Sequence, residues 1–428
     1  MTKLIEAVDS AYEALSDHLP NFPVVLLHPE SRYRSVMVAR LLNDPSRQSY
    51  YYALEPDNIT LRAFIESMTR QLSVQNPVFG RYLYLIPPQA YDDEGGDFEL
   101  IVGTLAQEVA ELSDSEFVLV LDEYDRSDES DVVHLLVEKL VDLLPPHAHI
   151  VINSRTMPRL PWLAMIAKRQ AVLLLDAAPI ERQFYTPRYP KPFDLQAFGL
   201  GQSYVMLDGR LIDSWEGHLP RLLLFFALDR PMVTRSEICA AFWPELRTDQ
   251  AVNVFHVTKR RLHKALNKVV LIHNDNFYRV NPELNIYYDI HEFVELLVEG
   301  RNPSTPKPFE AWKKVVNMYK GAFLQGHEEA WVQSRRAAFR AGYLEALSSM
   351  AVTFVRREQR ELALKLYLQA LDEDYTREDI HCEVMRLYKQ LGRGSEAIAH
   401  FNMMEARFYQ HKQPLSAETI DLYKSISA

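Results

Sequence analysis

One stretch near the middle of the chain, QAVNVFHVTKRRLHKALN at positions 250–267, restricts the fold most strongly. When it is placed on a helix at about 100° per residue, its apolar side chains fall on one face. From Gln250 through Lys268 there are five Lys or Arg residues and no Asp or Glu. The stretch therefore predicts an amphipathic helix that buries one face in a folded domain and presents a basic face to solvent. The residues predicted to be buried are Ala251, Val254, Phe255, Thr258, Leu262, Ala265 and Leu266.

The other face of this helix carries amide, imidazole and guanidinium groups. Such groups hydrogen-bond base edges in the major groove, and the cations suit the flanking phosphates. An ordinary solvated surface is the competing interpretation, because a basic helix face alone does not require DNA. The candidate DNA contacts on the helix are Asn253, His256, Val257, Lys259, Arg260, Arg261, His263 and Lys264.

The residues before this helix favour the DNA-binding interpretation. An apolar helix is predicted at 220–228, and Thr234-Arg-Ser-Glu237 has the form of a capping box that opens a second helix. That helix stops at Pro244, and a turn leads into the basic helix. The order is that of a helix-turn-helix in which the basic helix occupies the recognition position.

A β-hairpin is predicted directly after the basic helix. Apolar strands at 269–272 and 277–280 flank His273-Asn-Asp-Asn276, whose residues tolerate tight turns. This hairpin is the wing of a winged helix. Asn274 and Asn276 at its tip are further candidates for DNA contact, whereas phosphate would repel Asp275, which is expected to point away.

Short strands precede the three helices, at 193–198, 203–207 and 210–212, with an Asp208-Gly209 turn. A sheet followed by three helices and a wing resembles the winged helix of response regulators. The segments ALDRPMVTRSEICAAFWPE and VTKRRLHKAL more closely resemble bacterial activators of the antibiotic-regulatory-protein type. This resemblance implies a transcriptional activator that binds double-stranded DNA, contacts RNA polymerase and binds direct repeats as a homodimer.

The chain from Phe309 onward predicts helices that contain a repeat. Ala363 and Ala397 are 34 residues apart, as are Tyr367 and Phe401. A period of 34 residues is typical of tetratricopeptide helix pairs. The activators named above carry such a helical domain after the winged helix, so the resemblance extends to this region. The same spacing separates Phe354 from Tyr388 and Leu364 from Ile398.

The first 176 residues predict a parallel α/β sheet. Apolar runs at 23–27, 116–121 and 150–152 have the composition of buried strands, and 132–144 predicts an amphipathic helix. The segments LVLDEYDRSDE and VINSRTMPRLP resemble the P-loop nucleotide-binding domain of signal-transduction ATPases.

That resemblance implies roles for three residues at the ends of these strands. Asp122 would hold the Mg²⁺ shell, Glu123 would orient water and Arg155 would approach a γ-phosphate. The phosphate loop departs from the family, because His28-Pro-Glu-Ser-Arg-Tyr-Arg-Ser35 stands where G-x-x-x-x-G-K-[ST] should follow the first strand.

The departure weakens the case for nucleotide binding on physical grounds. Glycines let successive backbone N–H groups surround a phosphate, and here none remains, while Glu30 adds a negative charge. We expect a nucleotide site that is vestigial, binds no cofactor and hydrolyses nothing, with Arg34 pairing with Asp122 or Glu123. Weak nucleotide binding stays open. The residues of the vestigial site are Arg34, Ser35, Asp122, Glu123 and Arg155.

Together these segments predict a multidomain protein. The net charge of −11 does not oppose DNA binding, because residues 247–279 hold seven Lys or Arg and two acids. The predicted order is an α/β P-loop-NTPase-like domain at 1–176, a linker at 177–192, an α+β winged helix-turn-helix domain at 193–299, a linker at 300–308 and an all-α tetratricopeptide-like activator domain at 309–428.

Composition and motifs exclude several other classes. The two cysteines, Cys239 and Cys382, are far apart, so neither a metal cluster nor a disulfide framework is predicted. We find no catalytic constellation, secretory signal or membrane-spanning segment, and therefore expect a cytoplasmic protein that is not an enzyme.

The best-supported function is a sequence-specific DNA-binding transcriptional regulator with an ATPase-like domain as sensor or scaffold. Two alternatives stay open, namely an ATP-dependent signalling switch with DNA-binding output and a protein-interaction scaffold. A protein or small-molecule ligand of the first or the helical-repeat domain is a further partner that the sequence leaves open.

Overall fold

The fold is that of a computed structural model, which describes residues 2–56, 60–92, 96–180 and 192–427. The predicted linker at 177–192 lies mostly outside the described residues. Contacts between Cα atoms divide the chain into two compact units. The first comprises Met1–Phe198, Tyr204–His291 and Glu329–Trp331, and the second comprises Gly199–Ser203, Glu292–Glu328 and Val332–Ala428.

The first unit begins with the predicted sheet, whose strands are β1 (Val24–Leu27), β2 (Gln48–Ala53), β3 (Phe117–Asp122), β4 (Ala148–Asn153), β5 (Ala171–Leu175) and β6 (Ala178–Pro179). They lie in the order β2-β3-β4-β1-β5-β6, and all neighbours are parallel except β5 and β6. The parallel α/β fold is therefore confirmed. The strands β2 and β5 were not predicted; in β2, Tyr50 and Tyr52 alternate with less buried residues.

Helices cover the sheet, at α1 (Thr2–His18), α2 (Arg34–Leu42), α3 (Leu61–Gln75), α4 (Phe98–Ala110), α5 (Asp131–Leu143) and α6 (Trp162–Ala167). On one face, Leu15 and Met37 pack with Val25, Val120 and Val151 in a fully buried cluster. Because parallel strands end at the same edge, the loops that follow β1, β3 and β4 converge there.

The winged helix has its own small sheets. The first contains β7 (Leu195–Phe198), β8 (Tyr204–Leu207), β9 (Arg210–Leu211) and β13 (Ile286–Tyr288), and the wing sheet contains β10 (Val233–Thr234), β11 (Leu271–Asn274) and β12 (Phe277–Val280). Its helices are α7 (Leu219–Leu228), α8 (Arg235–Phe242) and α9 (Thr248–Leu266). Strand β13 was not predicted, since only parallel pairing of Ile286 with the distant Leu195 defines it.

The described chain beyond β13 is almost entirely helical. Its helices are α10 (Asp289–Arg301), α11 (Pro308–Met318), α12 (Ala330–Arg356), α13 (Arg360–Glu373), α14 (Glu378–Gln390), α15 (Gly394–Gln410) and α16 (Ala417–Ser427). The repeat residues Ala363, Ala397, Tyr367 and Phe401 are all buried. Small residues at the helix contacts thus recur at the predicted period. No helix among the described residues combines the length and the apolar character needed to cross a membrane.

Candidate nucleic-acid interface

The basic helix α9 is fixed by its apolar face. Phe255 and Leu262 are fully buried, and the Phe255 ring packs edge-on against Tyr278 of β12, with centroids 4.9 Å apart. Helix α8 begins with the predicted capping box. The Thr234 hydroxyl accepts a hydrogen bond from the Glu237 amide at 3.1 Å, and the Glu237 carboxylate accepts one from the Thr234 amide at 2.7 Å. The basic face of α9 is consequently held outward beside the wing.

Four of the predicted contact residues are exposed on that outer face, namely Asn253, His256, Val257 and Arg260. Within the described ranges, the side chains of Asn253 and Arg260 have no hydrogen-bond or ion-pair partner in the protein. The Val257 side chain is 43% exposed, although it is apolar. An amide and a guanidinium beside an aliphatic group can together contact adenine, guanine and the thymine methyl.

Two other predicted contacts share one acidic neighbour. Glu216, in the loop before α7, lies 2.6 Å from the Lys264 ammonium and 3.3 Å from the Arg261 guanidinium. The hydrogen bond from Lys264 is the main reason that the pKa of Glu216 lies below its usual value. These two cations are therefore partly neutralised inside the protein, so a phosphate would have to compete with Glu216 for them.

Lys259 and His263 are half-buried and serve the packing of α9. The Lys259 ammonium lies 5.1 Å from the centre of the Tyr278 ring, and burial lowers its pKa. His263 accepts a hydrogen bond at Nε2 from the Leu271 amide at 3.2 Å. Burial lowers the pKa of His263, which suits a neutral ring whose proton is on Nδ1. His263 therefore joins α9 to the start of β11.

The wing turn has a defined backbone conformation. Asn274 pairs with Phe277, and the two residues between them, Asp275 and Asn276, have φ angles of 46° and 69°. Positive φ at both central residues is the signature of a type I′ hairpin turn. Asn274, Asp275 and Asn276 are all exposed.

Arg235 is a basic residue beside this surface that the sequence analysis missed. It is exposed in the first turn of α8. The pKa of His256 is lowered first by burial and then by the charges of Lys259, Arg235 and Arg260. Arg235 thus belongs to the same positive cluster as α9. The only sequence signal for it was a cation just after a helix cap.

The vestigial nucleotide site is closed by internal hydrogen bonds. The Asp122 carboxylate accepts one from the Tyr51 hydroxyl at 2.7 Å, one from the Asn153 amide at 2.7 Å and one from the Glu123 backbone amide at 2.8 Å. Burial and the bonded Asp122 raise the pKa of Tyr51 to about 12. Two side chains that could not be foreseen in the sequence thus saturate Asp122.

The loop after β1 also has its donors occupied. The Glu30 amide donates to His28 Nδ1 at 3.2 Å, and the Ser31 amide donates to the His28 carbonyl at 2.8 Å. The Arg32 amide and the Ser31 hydroxyl both donate to the Asp176 carboxylate, at 2.9 and 2.8 Å. An internal carboxylate therefore takes N–H and O–H donors of the kind that a P-loop offers to phosphate.

The expected pairing of Arg34 with Asp122 or Glu123 is wrong. Arg34 donates to the Pro29 carbonyl within its own loop. Glu123 instead lies 3.3 Å from Arg155, whose guanidinium also lies 2.8 Å from Asp125. Arg155 sits where a sensor arginine was predicted, but acidic side chains already surround it. Ser35 lies in the first turn of α2, next to Arg34.

Comparisons with known proteins support the last part of the prediction directly. A family model described as "Bacterial transcriptional activator domain" matches residues 288–426. These residues belong to that family. The predicted resemblance to bacterial activators is confirmed for this region, which we call the activator domain. No curated protein sequence matches the chain.

Two solved structures have a partial likeness to the chain. EmbR of Mycobacterium tuberculosis, in a complex with a low-affinity phosphopeptide, has a TM-score of 0.44 and 17% identity over 55% of this chain and 70% of its own. A signal transduction ATPase with numerous domains and a tetratricopeptide repeat sensor, from Pyrococcus horikoshii, has a TM-score of 0.22 and 13% identity over 96% of this chain and 65% of its own.

The activator domain contains a buried pair of histidines between α14 and α15. His381 Nε2 lies 2.8 Å from the Tyr375 carbonyl, and His381 Nδ1 lies 2.8 Å from His400 Nε2. Because the carbonyl can only accept, His381 carries its proton on Nε2 and accepts from His400 at Nδ1. Burial and the neighbouring His381 lower the pKa of His400 to about 4.

Proposed function

We propose that this chain is a sequence-specific DNA-binding transcriptional regulator that acts as an activator. One observation carries the proposal. Asn253, His256 and Arg260 are exposed on a helix that is fixed by a buried face, and Asn253 and Arg260 have no partner among the described residues. Polar groups held in place without a partner cost little to transfer to DNA bases. The activator domain gives the same surface a regulatory context.

The other parts of the proposal follow from this surface. Arg235 and the wing residues Asn274 and Asn276 are assigned to the phosphate backbone, because they flank α9 and are exposed. RNA polymerase is the proposed partner of the activator domain. Two copies are proposed to bind side by side on a direct repeat, which predicts two protected half-sites in a footprint at saturation.

The vestigial nucleotide site is proposed to be structural. Asp122 is saturated by three internal hydrogen bonds, and Asp176 occupies donors of the preceding loop. These contacts favour a scaffold over an ATP-driven switch. A protein-interaction scaffold without DNA binding is disfavoured, because it would leave the unpaired polar face of α9 without a purpose.

Selection of bound fragments from random double-stranded DNA tests the proposal. The wild-type chain should enrich a defined sequence, and the triple variant Asn253→Ala, His256→Ala, Arg260→Ala should enrich none. Lys365→Ala is the matched control, because it removes a charge from an exposed position on the activator-domain helix α13. The same enrichment by wild type and triple variant, or none by either, would contradict the proposal.

A further inference from the structure

A buried charged cluster joins the α/β sheet domain to the winged helix within the first unit. Its centre is Arg159, which follows β4 and is fully buried. Arg159 donates to the Asp131 carboxylate at 2.9 Å and to the Asp128 carbonyl at 2.9 Å, and it also pairs with Glu237 of α8. A side chain of the sheet domain therefore contacts the same carboxylate that closes the capping box of α8.

Further contacts surround this centre. Arg230, before β10, lies 3.2 Å from Glu138 of α5 and 3.1 Å from Glu237. The Thr234 hydroxyl donates to Asp131 at 2.7 Å. The Arg159 guanidinium also lies 5.3 Å from the centre of the Phe277 ring in the wing. The start of α8 and the wing strand β12 are thus both in contact with the sheet domain.

These contacts lie beside the surface assigned above to DNA phosphates. A cavity of about 320 Å³ is lined by both domains at this point. The winged helix contributes exposed cationic and polar groups, and the sheet domain contributes two carboxylates. A phosphate that approached Arg235 or the wing tip here would meet negative charge first. The residues of the cavity used in this argument are Arg235, Ser236, Asn276, Glu129 and Asp131.

We propose that the α/β domain and DNA compete for this face of the winged helix. The arrangement described is a closed state, in which Glu129 and Asp131 lie where DNA phosphates would bind, and DNA binding requires the domains to separate. Buried ion pairs repay little more than the cost of removing their charges from water, so an interface built on them can open. This inference rests on the proposed DNA-binding function.

The size of the expected effect follows from the population of the open state. If about a tenth of the molecules are open, a change that opens all of them raises the apparent affinity for DNA about tenfold. Glu138→Arg should do this, because it replaces the partner of Arg230 with a like charge. Asp142→Arg is the matched control, since it makes the same charge change on α5 but its partner is Lys168, inside the sheet domain.

The experiment measures the full-length protein against a mixed-sequence duplex of about three helical turns by fluorescence anisotropy. Glu138→Arg should bind about tenfold more tightly than wild type, and Asp142→Arg should bind within about twofold of it. Equal gains in both variants would reduce the effect to net charge and overturn the inference. Weaker binding by Glu138→Arg would also overturn it, because the sheet domain would then assist DNA binding.

A milder pair covers the case in which Glu138→Arg does not fold. Glu138→Gln and Asp142→Asn remove one charge each and should show the same order of affinities. Amide hydrogen exchange at 231–237 should quicken in Glu138→Gln but not in Asp142→Asn, and unchanged exchange together with unchanged affinity would overturn the inference. Failure of the proposed function has a different signature, in which wild type and Arg260→Ala bind every duplex equally.

Discussion

Arg260 and its neighbour Arg261 differ in the charges that surround them. Arg260 has no partner among the described residues, whereas Arg261 shares Glu216 with Lys264. We expect Arg260→Ala to cost about 1 to 3 kcal/mol of binding and to relax the preference at one base pair. Arg261→Ala should cost less, because Glu216 already offsets that charge. Anisotropy titrations on the selected duplex compare the two, and equal losses would contradict the assignment.

Asp176 makes a second prediction at the residue scale. Its carboxylate accepts hydrogen bonds from the Ser31 hydroxyl and the Arg32 amide. Asp176→Ala leaves these donors without their acceptor, and we expect a loss of about 1 to 3 kcal/mol in the free energy of unfolding. Asp114→Ala, at an exposed position in the same domain, is the control. Urea denaturation measures both, and a neutral Asp176→Ala would show that the loop is not held by this contact.

At the scale of elements, the helix pair α14 and α15 should be sensitive to pH. The pKa of His400 is about 4 in the folded activator domain, below its usual value of 6.5. As the pH falls from about 6.5 towards 4, the unfolded chain binds a proton that the folded chain does not bind. Stability is therefore present above this window and is lost within it, by up to about 3 kcal/mol.

Replacement of His400 tests this dependence. A glutamine can still donate a hydrogen bond to His381 but does not titrate, so His400→Gln should flatten the decline in melting temperature between pH 6.5 and 4. His411→Gln, at an exposed position, should leave the decline intact. The same curve for all three proteins would mean that other groups control the acid response.

At the scale of the whole molecule, ATP should have no effect on DNA binding. Internal partners occupy the Asp122 carboxylate and the donors around Ser31, so nucleotide binding would have to break these bonds. Loss of several charge-assisted hydrogen bonds of about 1.5 to 3 kcal/mol each takes a micromolar affinity to millimolar or weaker.

Calorimetry with ATP and Mg²⁺ is the direct measurement, accompanied by DNA titrations with and without nucleotide. We expect no resolvable heat of binding and identical DNA affinities. A dissociation constant below about 10 μM would contradict the vestigial interpretation and favour the nucleotide-driven switch.

Local patterns were sufficient for much of the fold. The helical period placed Phe255 and Leu262 inside and Asn253 and Arg260 outside, because burial on a helix depends on residues three and four positions apart. The Thr234 capping box is equally local. The short strand β13 escaped prediction, because its evidence lies in pairing with a strand far away in the chain.

The sequence by itself determined which residues could contact DNA, and only the tertiary structure decided which of them are free to do so. Glu216 neutralises Lys264 from 48 residues away, and Asp176 bonds Ser31 across 145 residues. Arg159 reaches Glu237 across 78 residues and thereby brings the sheet domain to the edge of the winged helix. Helical periodicity and capping depend on neighbours along the chain, whereas the partner of a charge depends on which distant segments the folded core brings together.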